Sequence, residues 1–520
     1  MPPELHLSRR HRVDLVLEGA LAGIATGVVI SAYRFFLSHA EELLRHLTGV
    51  LADGGVRALL WVPVLGILCL VVGRLMLYEP YTQASGIPQI DAEVAGRVDM
   101  PWRRVLPVKF VEGVLCAFAG LSLGREGPSV LLGGMAAKGV ARIRKDGRPR
   151  ERLLVTCGAA AGMSAAFHAP LTGVLFAVEE IHREFSAALV ISVMTASIVS
   201  DFVASQLLGV APLIHFVEFG SLPHELYLSV LLMGAICGLA GFLHNRGMFA
   251  VQERIFDPIS HFVPYARLAV PFAVAGVVAF VWPDLMCGGD AIIERVLSAR
   301  EEPVVALALL LVGKYVFTSI CFGSGAPGGT LFPLVVMGSL VGALYGHAVI
   351  SVAGIPGLYE NSFVALGIAG LFASVIQAPV TAVVLVFELT GSLEALLATS
   401  VVSIVSYVVA TLLGTQPYYE HLYERMLGHT AERDATEDAK THKVIRNYVV
   451  GAGSAAEGRL IKDVPWPEDT LVITVRKAGH NLIANGGTVL EALDVISIVM
   501  DESVEPTVDT TLRLLFVARD

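Results

Sequence analysis

The stretch Leu121-Ser-Leu-Gly-Arg-Glu-Gly-Pro-Ser-Val-Leu-Leu132 places a glycine turn and a proline before an apolar run. Related patterns occur at Gly329-Thr-Leu-Phe-Pro333 and at Ser85-Gly-Ile-Pro88. Proline is favoured in the first turn of a helix, where its missing N–H is no loss, so each site predicts a helix start. Helix starts present unpaired N–H groups and roughly half a positive charge. Three helix starts that converge would bind an anion without a buried lysine or arginine. The alternative is that the three motifs are unrelated loop turns.

An internal repeat places two of these motifs at matching positions. Residues 160–180 (AAGMSAAFHAPLTGVLFAVEE) and 369–389 (AGLFASVIQAPVTAVVLVFEL) align without gaps and share Pro170/Pro379 and Glu179/Glu388. Duplicated halves whose helices are interrupted by glycine and proline are typical of transporters with a site between the repeats. We expect repeats at about 13–215 and 225–425.

The composition predicts a membrane protein. Of the 520 residues, 54% are hydrophobic and only 16% charged, with a mean hydropathy of +0.67. Soluble domains carry about 25% charged residues, so most of this chain must face lipid or other helices. The net charge of −10 argues against a nucleic-acid binder. The six cysteines are scattered and form no CxxC pair, which excludes a secreted disulfide scaffold.

The charge density changes along the chain. Residues 428–520 hold 25 of the 84 Asp, Glu, Lys and Arg residues. We therefore predict a membrane domain over 1–427, a polar linker over 428–443 and a small α+β domain over 444–520, with strands near 470–476 and 510–517. Arg9, Arg10 and Arg12 precede the first long apolar stretch, so the positive-inside rule predicts a cytoplasmic N-terminus.

Two glutamates are candidates for function. Glu126 lies among glycines in an apolar stretch, and a charge at the centre of a membrane helix costs about 2.5–3.5 kcal/mol, so it is a functional candidate by default. The alternative is an ion pair with Arg125 at a water interface. Glu179 and Glu388 repeat, so we expect a structural role, such as capping. Glu180 has no acidic counterpart, because Leu389 occupies the matching position of the second repeat. We expect Glu180 either to transfer protons or to be an acid at the membrane interface.

Other polar residues have less specific interpretations. Tyr418, Tyr419 and Tyr423 follow the last apolar run, as interfacial tyrosines often do. For His168 we expect a role in helix packing, and the sequence shows no His/Cys cluster, so we predict neither a metal nor a cofactor.

Together these motifs resemble the CLC chloride channel and transporter family over about residues 10–425. The family's GSGIP motif is present as Ala84-Ser-Gly-Ile-Pro88, and GREGP is intact at 124–128. GxFxP is present as Gly329-Thr-Leu-Phe-Pro333, where Leu331 takes the usual phenylalanine position. The resemblance implies an all-α polytopic membrane fold with two inverted repeats, and homodimers with one pore per subunit.

The resemblance also implies roles for single residues. Glu126 would be the external gating glutamate and Glu180 the internal proton-transfer glutamate. Ser85 would donate its hydroxyl to the central chloride, and Tyr419 would be the inner-gate tyrosine, with Tyr418 as the alternative. The remaining residues implied to form the chloride site are Gly86, Ile87, Arg125, Gly127, Thr330 and Leu331.

The predicted function is proton-coupled chloride antiport in the inner membrane, with both termini cytoplasmic. A passive chloride channel of the same family is the runner-up. Two rivals come from other classes: an intramembrane serine protease using Ser324 and His168, and a ligand sensor using only the tail. Residues 444–520 resemble a TrkA-C (RCK C-terminal) domain, which implies either binding of a small regulator or nucleotide, or a dimer-stabilising appendage.

Overall fold

The computed structural model is described for all but a few short segments of the chain. The described residues are 9–52, 55–183, 186–209, 222–262, 266–298, 302–354, 359–392, 396–434, 443–467, 470–477, 480–501, 508, 511–512 and 515–516. Within them the chain divides into two compact units, with the division between Leu427 and Gly428.

The first half of the membrane unit consists of eight α-helices in its described residues. They are α1 Arg9–Ala52, α2 Trp61–Tyr78, α3 Ile87–Val94, α4 Trp102–Phe118, α5 Glu126–Arg144, α6 Arg148–Phe167, α7 Pro170–Phe176 and α8 Ala187–Leu208. A single π-helical turn, Ala177–His182, extends α7. Helices α3, α5 and α7 begin at Ile87, Glu126 and Pro170, each with a proline in the first turn or just after it, as the sequence predicts for the first two.

The second half repeats this order. Its described helices are α9 Tyr227–Val251, α10 Asp257–Phe262, α11 Ala266–Val281, α12 Asp290–Ser298, α13 Val304–Gly323, α14 Leu331–Ala353, α15 Glu360–Ile376, α16 Pro379–Thr390, α17 Leu396–Leu412 and α18 Tyr418–Asp434. Helix α1 packs along α8, and α9 packs along α17 in the corresponding way. Six helices in the described segments are long and apolar enough to cross a membrane.

The repeated glutamates cap helices of the opposite repeat. Glu388 of α16 accepts the N–H groups of Leu171 (2.8 Å) and Thr172 (2.7 Å) at the start of α7. Glu179 accepts the N–H groups of Val380 (3.2 Å) and Thr381 (2.8 Å) at the start of α16. The two threonine hydroxyls donate to the same carboxylates. This reciprocal exchange confirms the structural role predicted for both residues, because it satisfies N–H groups that a helix start leaves unpaired.

The tail unit contains a four-stranded antiparallel sheet in the order β1-β4-β2-β3. The strands are β1 Lys443–Val449, β2 Thr470–Lys477, β3 His480–Ile483 and β4 Val495–Asp501.

The strand predicted near 470–476 is confirmed. The strand predicted over 510–517 is wrong at the four positions described there, which are helical; Leu512 and Phe516 are buried in the tail core. The strand is predicted from enrichment in β-branched residues, which in so short a segment does not separate a strand from a buried helix. Helix α18 also continues to Asp434, inside the predicted linker.

Candidate anion site between the repeats

Three motif loops meet at the centre of the membrane unit. Gly124 and Gly329 exchange two backbone hydrogen bonds, of 2.6 and 2.9 Å, which hold the starts of α5 and α14 together. Ala84 donates to the carbonyl of Gly325 (3.1 Å) and accepts from Gly328 (3.0 Å). The convergence predicted for the three helix starts is therefore present, and their free N–H groups share one region.

Close approach of the loops requires glycine at two positions. A Cβ on Gly127 would lie 2.9 Å from the carbonyl oxygen of Ser85 and 3.2 Å from the Cα of Gly329. Gly86, with a φ of +103°, adopts a left-handed conformation that side chains disfavour. The glycines that the sequence motifs supply thus let the α3, α5 and α14 starts pack in contact.

Glu126 lies at the start of α14 as well as at the start of its own helix. Its side chain is fully buried, and Oε2 accepts the N–H of Phe332 at 3.3 Å. The Arg125 Nε lies 3.9 Å from Oε1, and its Nη2 lies 3.8 Å from Asp290. The ion pair with Arg125 that was the alternative for Glu126 is thus only a long contact. The carboxylate instead accepts the N–H of Phe332 at the start of α14, a donor that could also serve an anion.

Two of the residues expected at the chloride site have a buried hydroxyl without a protein partner in the described structure. Within the described part of the chain, neither Ser85 Oγ nor Tyr419 Oη makes a hydrogen bond, although both residues are fully buried. Leaving a buried hydroxyl unpaired is costly, so each points to a ligand it would satisfy. Tyr418 differs, because its hydroxyl accepts a 3.2 Å hydrogen bond from Thr330. Accepting that bond leaves the Tyr418 proton free, but the Tyr419 hydroxyl has no protein partner of either kind in the described structure, so the geometry favours Tyr419 for the anion.

The remaining residues expected at the chloride site lie on the same three loops. Gly86 and Ile87 form the start of α3, Arg125 and Gly127 flank Glu126, and Thr330 and Leu331 form the start of α14. Leu331 is fully buried, so the residue that departs from the family pattern contributes its backbone N–H and its packing volume.

Glu180 lies in the π-helical turn after α7, and its side chain is only 5% exposed. Arg183 lies 3.8 Å from it and 3.4 Å from Glu420 on α18. Phe176, one turn before Glu180, contacts the ring of Tyr419 edge-on at 6.2 Å between centroids. The segment that carries Glu180 therefore packs against the inner-gate candidate through Phe176.

Sequence reasoning missed two polar residues near these loops. Lys109 on α4 is fully buried and donates to the carbonyls of Thr82 (2.8 Å) and Ala84 (2.6 Å), which fixes the loop before Ser85. Asp91 on α3 has an oxygen without a hydrogen bond in the described structure and interacts electrostatically with Glu180. For Lys109 the available signal was a charged residue within the apolar part of α4, where Glu112 follows three residues later. For Asp91 it was the position one turn after the GIP motif.

The residues of the protease alternative are engaged elsewhere. The Ser324 hydroxyl donates to the carbonyl of Cys321 at 2.7 Å. His168 contacts Asp201 (3.0 Å) and Arg34 (2.8 Å), so it has the polar packing role that the sequence predicts. The geometry does not support the protease alternative, because the serine and the histidine that it needs each bond to other groups.

Three carboxylates are close enough to hold a metal ion, but cations of the protein already neutralise them. Glu93, Asp99 and Glu151 lie around Lys138, whose Nζ is 2.5 Å from Glu93 and 2.7 Å from Asp99. Arg142 and Arg148 contact both Asp99 and Glu151. The arrangement is an ion-pair network that ties α3 and the loop after it to the end of α5 and the start of α6.

Comparison with known proteins agrees with this geometry. The family model described as voltage gated chloride channel matches residues 67–411. The chain belongs to this family. A CLC relative named H(+)/Cl(-) exchange transporter ClcA, from Vibrio parahaemolyticus, is 31% identical over 420 residues, which are 79% of this chain and 88% of the relative. The ClcA exchange transporter of Citrobacter koseri is 30% identical over 443 residues, 83% of this chain and 92% of the relative.

Solved CLC structures share the fold. A slow cyanobacterial Cl⁻/H⁺ antiporter superimposes with a TM-score of 0.76 at 28% identity, over 80% of this chain and 98% of that chain. A eukaryotic CLC transporter superimposes with a TM-score of 0.67 at 20% identity, over 98% of this chain and 90% of that chain. The all-α CLC fold with an added small sheet domain is therefore established for this protein.

Proposed function

We propose that this protein exchanges chloride for protons across a membrane. One observation carries the proposal: the Glu126 carboxylate accepts the Phe332 N–H at a convergence of helix starts, beside hydroxyls that lack partners within the described structure. A carboxylate and a halide are both anions, so they compete for the same N–H donors. The ClcA relatives and the cyanobacterial antiporter are named for this exchange, which favours it over the channel alternative.

Competition between Glu126 and chloride couples the two ions. While ionised, Glu126 occupies the N–H donors at the start of α14 and blocks the anion path. Once protonated, the side chain loses the charge that those donors attract and leaves the position to chloride. The hydroxyls of Ser85 and Tyr419 then donate to the central anion. Each cycle thus moves a proton on Glu126 in one direction and anions in the other.

Glu180 is proposed to exchange protons with water on the other side. Its burial and its position one turn after Phe176, whose ring contacts Tyr419, support a proton transfer role over an interfacial acid. Arg183 and Glu420 lie next to it at the more exposed end of this route. The chemistry needs only the ion gradients, so no cofactor is part of the proposal.

The test is proton flux in liposomes that hold the purified protein, with a chloride gradient and a clamped voltage. Parent protein is expected to drive protons uphill. Glu126→Ala and Glu180→Ala are each expected to abolish proton movement while chloride flux continues. Glu42→Ala, an exposed carboxylate on α1, is the matched control and should behave as the parent. Chloride flux without any proton movement in the parent would favour the channel.

The placement and assembly of the protein are part of the same proposal. We infer a multi-pass inner-membrane protein with cytoplasmic termini, because basic residues cluster at the start of α1 and around the junction of α5 and α6. We infer a homodimer with one pore per subunit from the family resemblance. For the tail, the TrkA-C resemblance supports a cytoplasmic regulatory domain that binds a small regulator or nucleotide, with dimer stabilisation as the competing role.

A further inference from the structure

A cleft of about 430 Å³ lies between the C-terminal part of α9 and the loop before α18. None of the residues expected at the chloride site lines it. Asn245, which is buried, fixes one wall by donating to the carbonyls of Val375 (3.0 Å) and Gln416 (3.1 Å). The cleft is therefore distinct from the proposed chloride site, and hydrogen bonds of Asn245 fix one of its walls.

The lining of the cleft carries an excess of positive charge. Arg246, Arg254 and His421 line it, and Glu253 is the one carboxylate among its lining residues. Neither arginine forms an ion pair with any residue that the structure describes. In the same described part, the buried Thr415 Oγ1 and His421 Nε2 lack hydrogen-bond partners, and Nε2 lies 3.7 Å from Glu253. Guanidinium, hydroxyl and imidazole groups with free donors around one cleft suit an oxyanion with several acceptor oxygens.

The cleft lies where the lipid-facing surface of α9 becomes polar. Between Tyr227 and Asn245 the helix carries no Asp, Glu, Lys or Arg, and Leu239 and Leu243 are exposed. The charged residues begin at Arg246. On the other side of the cleft, Leu412 is 82% exposed at the end of α17. An apolar surface that ends near two arginines is expected at the level of the phospholipid headgroups.

We propose that this cleft binds the phosphate of an anionic phospholipid headgroup. Arg246 and Arg254 would hold the phosphate oxygens through their planar N–H forks, which match phosphate geometry better than a lysine ammonium does. Thr415 and His421 would donate to the remaining oxygens. The acyl chains would lie along the exposed leucines of α9 and α17.

The cleft adjoins the inner-gate candidate through one aromatic stack. The Phe249 ring stacks on His421 at 3.8 Å and on Tyr418 at 5.7 Å between centroids. Tyr418 in turn contacts Tyr419 at 5.4 Å. A phosphate held by His421 would therefore restrain the first turn of α18, where both tyrosines lie.

The experiment measures binding of fluorescent phosphatidylglycerol to the full chain in detergent, with phosphatidylcholine as the neutral lipid. We expect saturable binding of phosphatidylglycerol in the parent. The double variant Arg246→Gln/Arg254→Gln should bind it about thirtyfold more weakly, because each substitution removes one guanidinium from the phosphate. Arg103→Gln, at an exposed arginine on α4 outside the cleft, is the matched control and should bind as the parent.

A second variant keeps the test decisive if the glutamines disturb folding. Arg246→Lys/Arg254→Lys retains both charges and loses the forks, so its affinity is expected between those of the parent and the glutamine variant. Displacement of phosphatidylglycerol by inorganic phosphate at matching concentrations would show a site for free phosphate and would overturn the assignment to a lipid. Equal phosphatidylglycerol affinity in the parent and both double variants, or equal affinity for phosphatidylcholine, would overturn the proposal. This readout is independent of ion exchange.

Discussion

Single polar atoms distinguish the residues of the proposed anion site. Glu126 takes one helix-start N–H, while Ser85 and Tyr419 keep their hydroxyls free within the described structure. Tyr418 stands next to Tyr419 in the sequence, yet its hydroxyl is already bonded to Thr330. Two adjacent residues of the same type thus have different chemistry because of one hydrogen bond.

Tyr419→Phe is expected to weaken chloride binding about tenfold, because a hydrogen bond to a charged group contributes about 1.5–3 kcal/mol. Isothermal titration of chloride into the purified protein measures this. Tyr418→Phe is the paired control and should change chloride affinity less than about twofold, since its hydroxyl is engaged with Thr330. The reverse ranking of the two variants would reassign the inner gate to Tyr418.

Asp99, in the loop after α3, gives a pH prediction. Hydrogen bonds from Arg148 first, and then from Lys138 and Arg142, hold the pKa of this carboxyl well below its usual range. A lowered folded-state pKa gives stability that is present above the unfolded value of about 3.9 and is lost as the pH falls below it. The stability advantage of the parent over Asp99→Asn should therefore be constant above about pH 5 and shrink below about pH 4. Thermal unfolding across this range checks the trend, and an advantage that grew on acidification would contradict it.

At the scale of elements, the two repeats depend on each other for their helix caps. The start of α7 is capped from α16, and the start of α16 is capped from the turn after α7. Each carboxylate accepts two N–H bonds and one hydroxyl bond. Each repeat relies on the other to pair the N–H groups at the start of its own helix, α7 or α16. This explains why a glutamate is present at the matching position in both halves.

Glu179→Ala and Glu388→Ala are each expected to destabilise the membrane unit by about 3 kcal/mol, because each removes several hydrogen bonds to a charge at a partly buried position. Unfolding in detergent, followed by loss of helical circular dichroism, gives the comparison. Glu42→Ala serves again as an exposed control. A large effect from one glutamate and none from its partner would show that the capping is not equivalent.

At the scale of the whole molecule, two separate cores stabilise two units. The tail core is formed by residues of the tail alone, among them Val475, Ile496 and Phe516. Trp466 packs at its edge and donates to the carbonyl of Ile461 at 2.7 Å. Since each core is complete within its own unit, the units should unfold as separate steps.

Removal of residues 443–520 is therefore expected to leave proton-coupled chloride flux within about twofold of the parent and to remove one calorimetric transition. Calorimetry and the liposome assay of the truncated and full chains measure both. Loss of all anion flux in a truncated protein that remains monodisperse would show that the tail is required for transport and does more than regulate it.

Local sequence was sufficient for much of this protein. Prolines and glycines set the starts of α3 and α5, and apolar composition set the membrane fold, because backbone preference and lipid burial depend on residues near each other in the chain. Tertiary contacts decided the rest. They set the partners of Glu179 and Glu388, the free hydroxyl of Tyr419 and the helical conformation near 511–516. They also left the two arginines of the cleft without an ion-pair partner in the described structure. These depend on which distant groups meet. A hydroxyl or a guanidinium can donate to a ligand only through those hydrogens that residues from other parts of the chain have not already engaged.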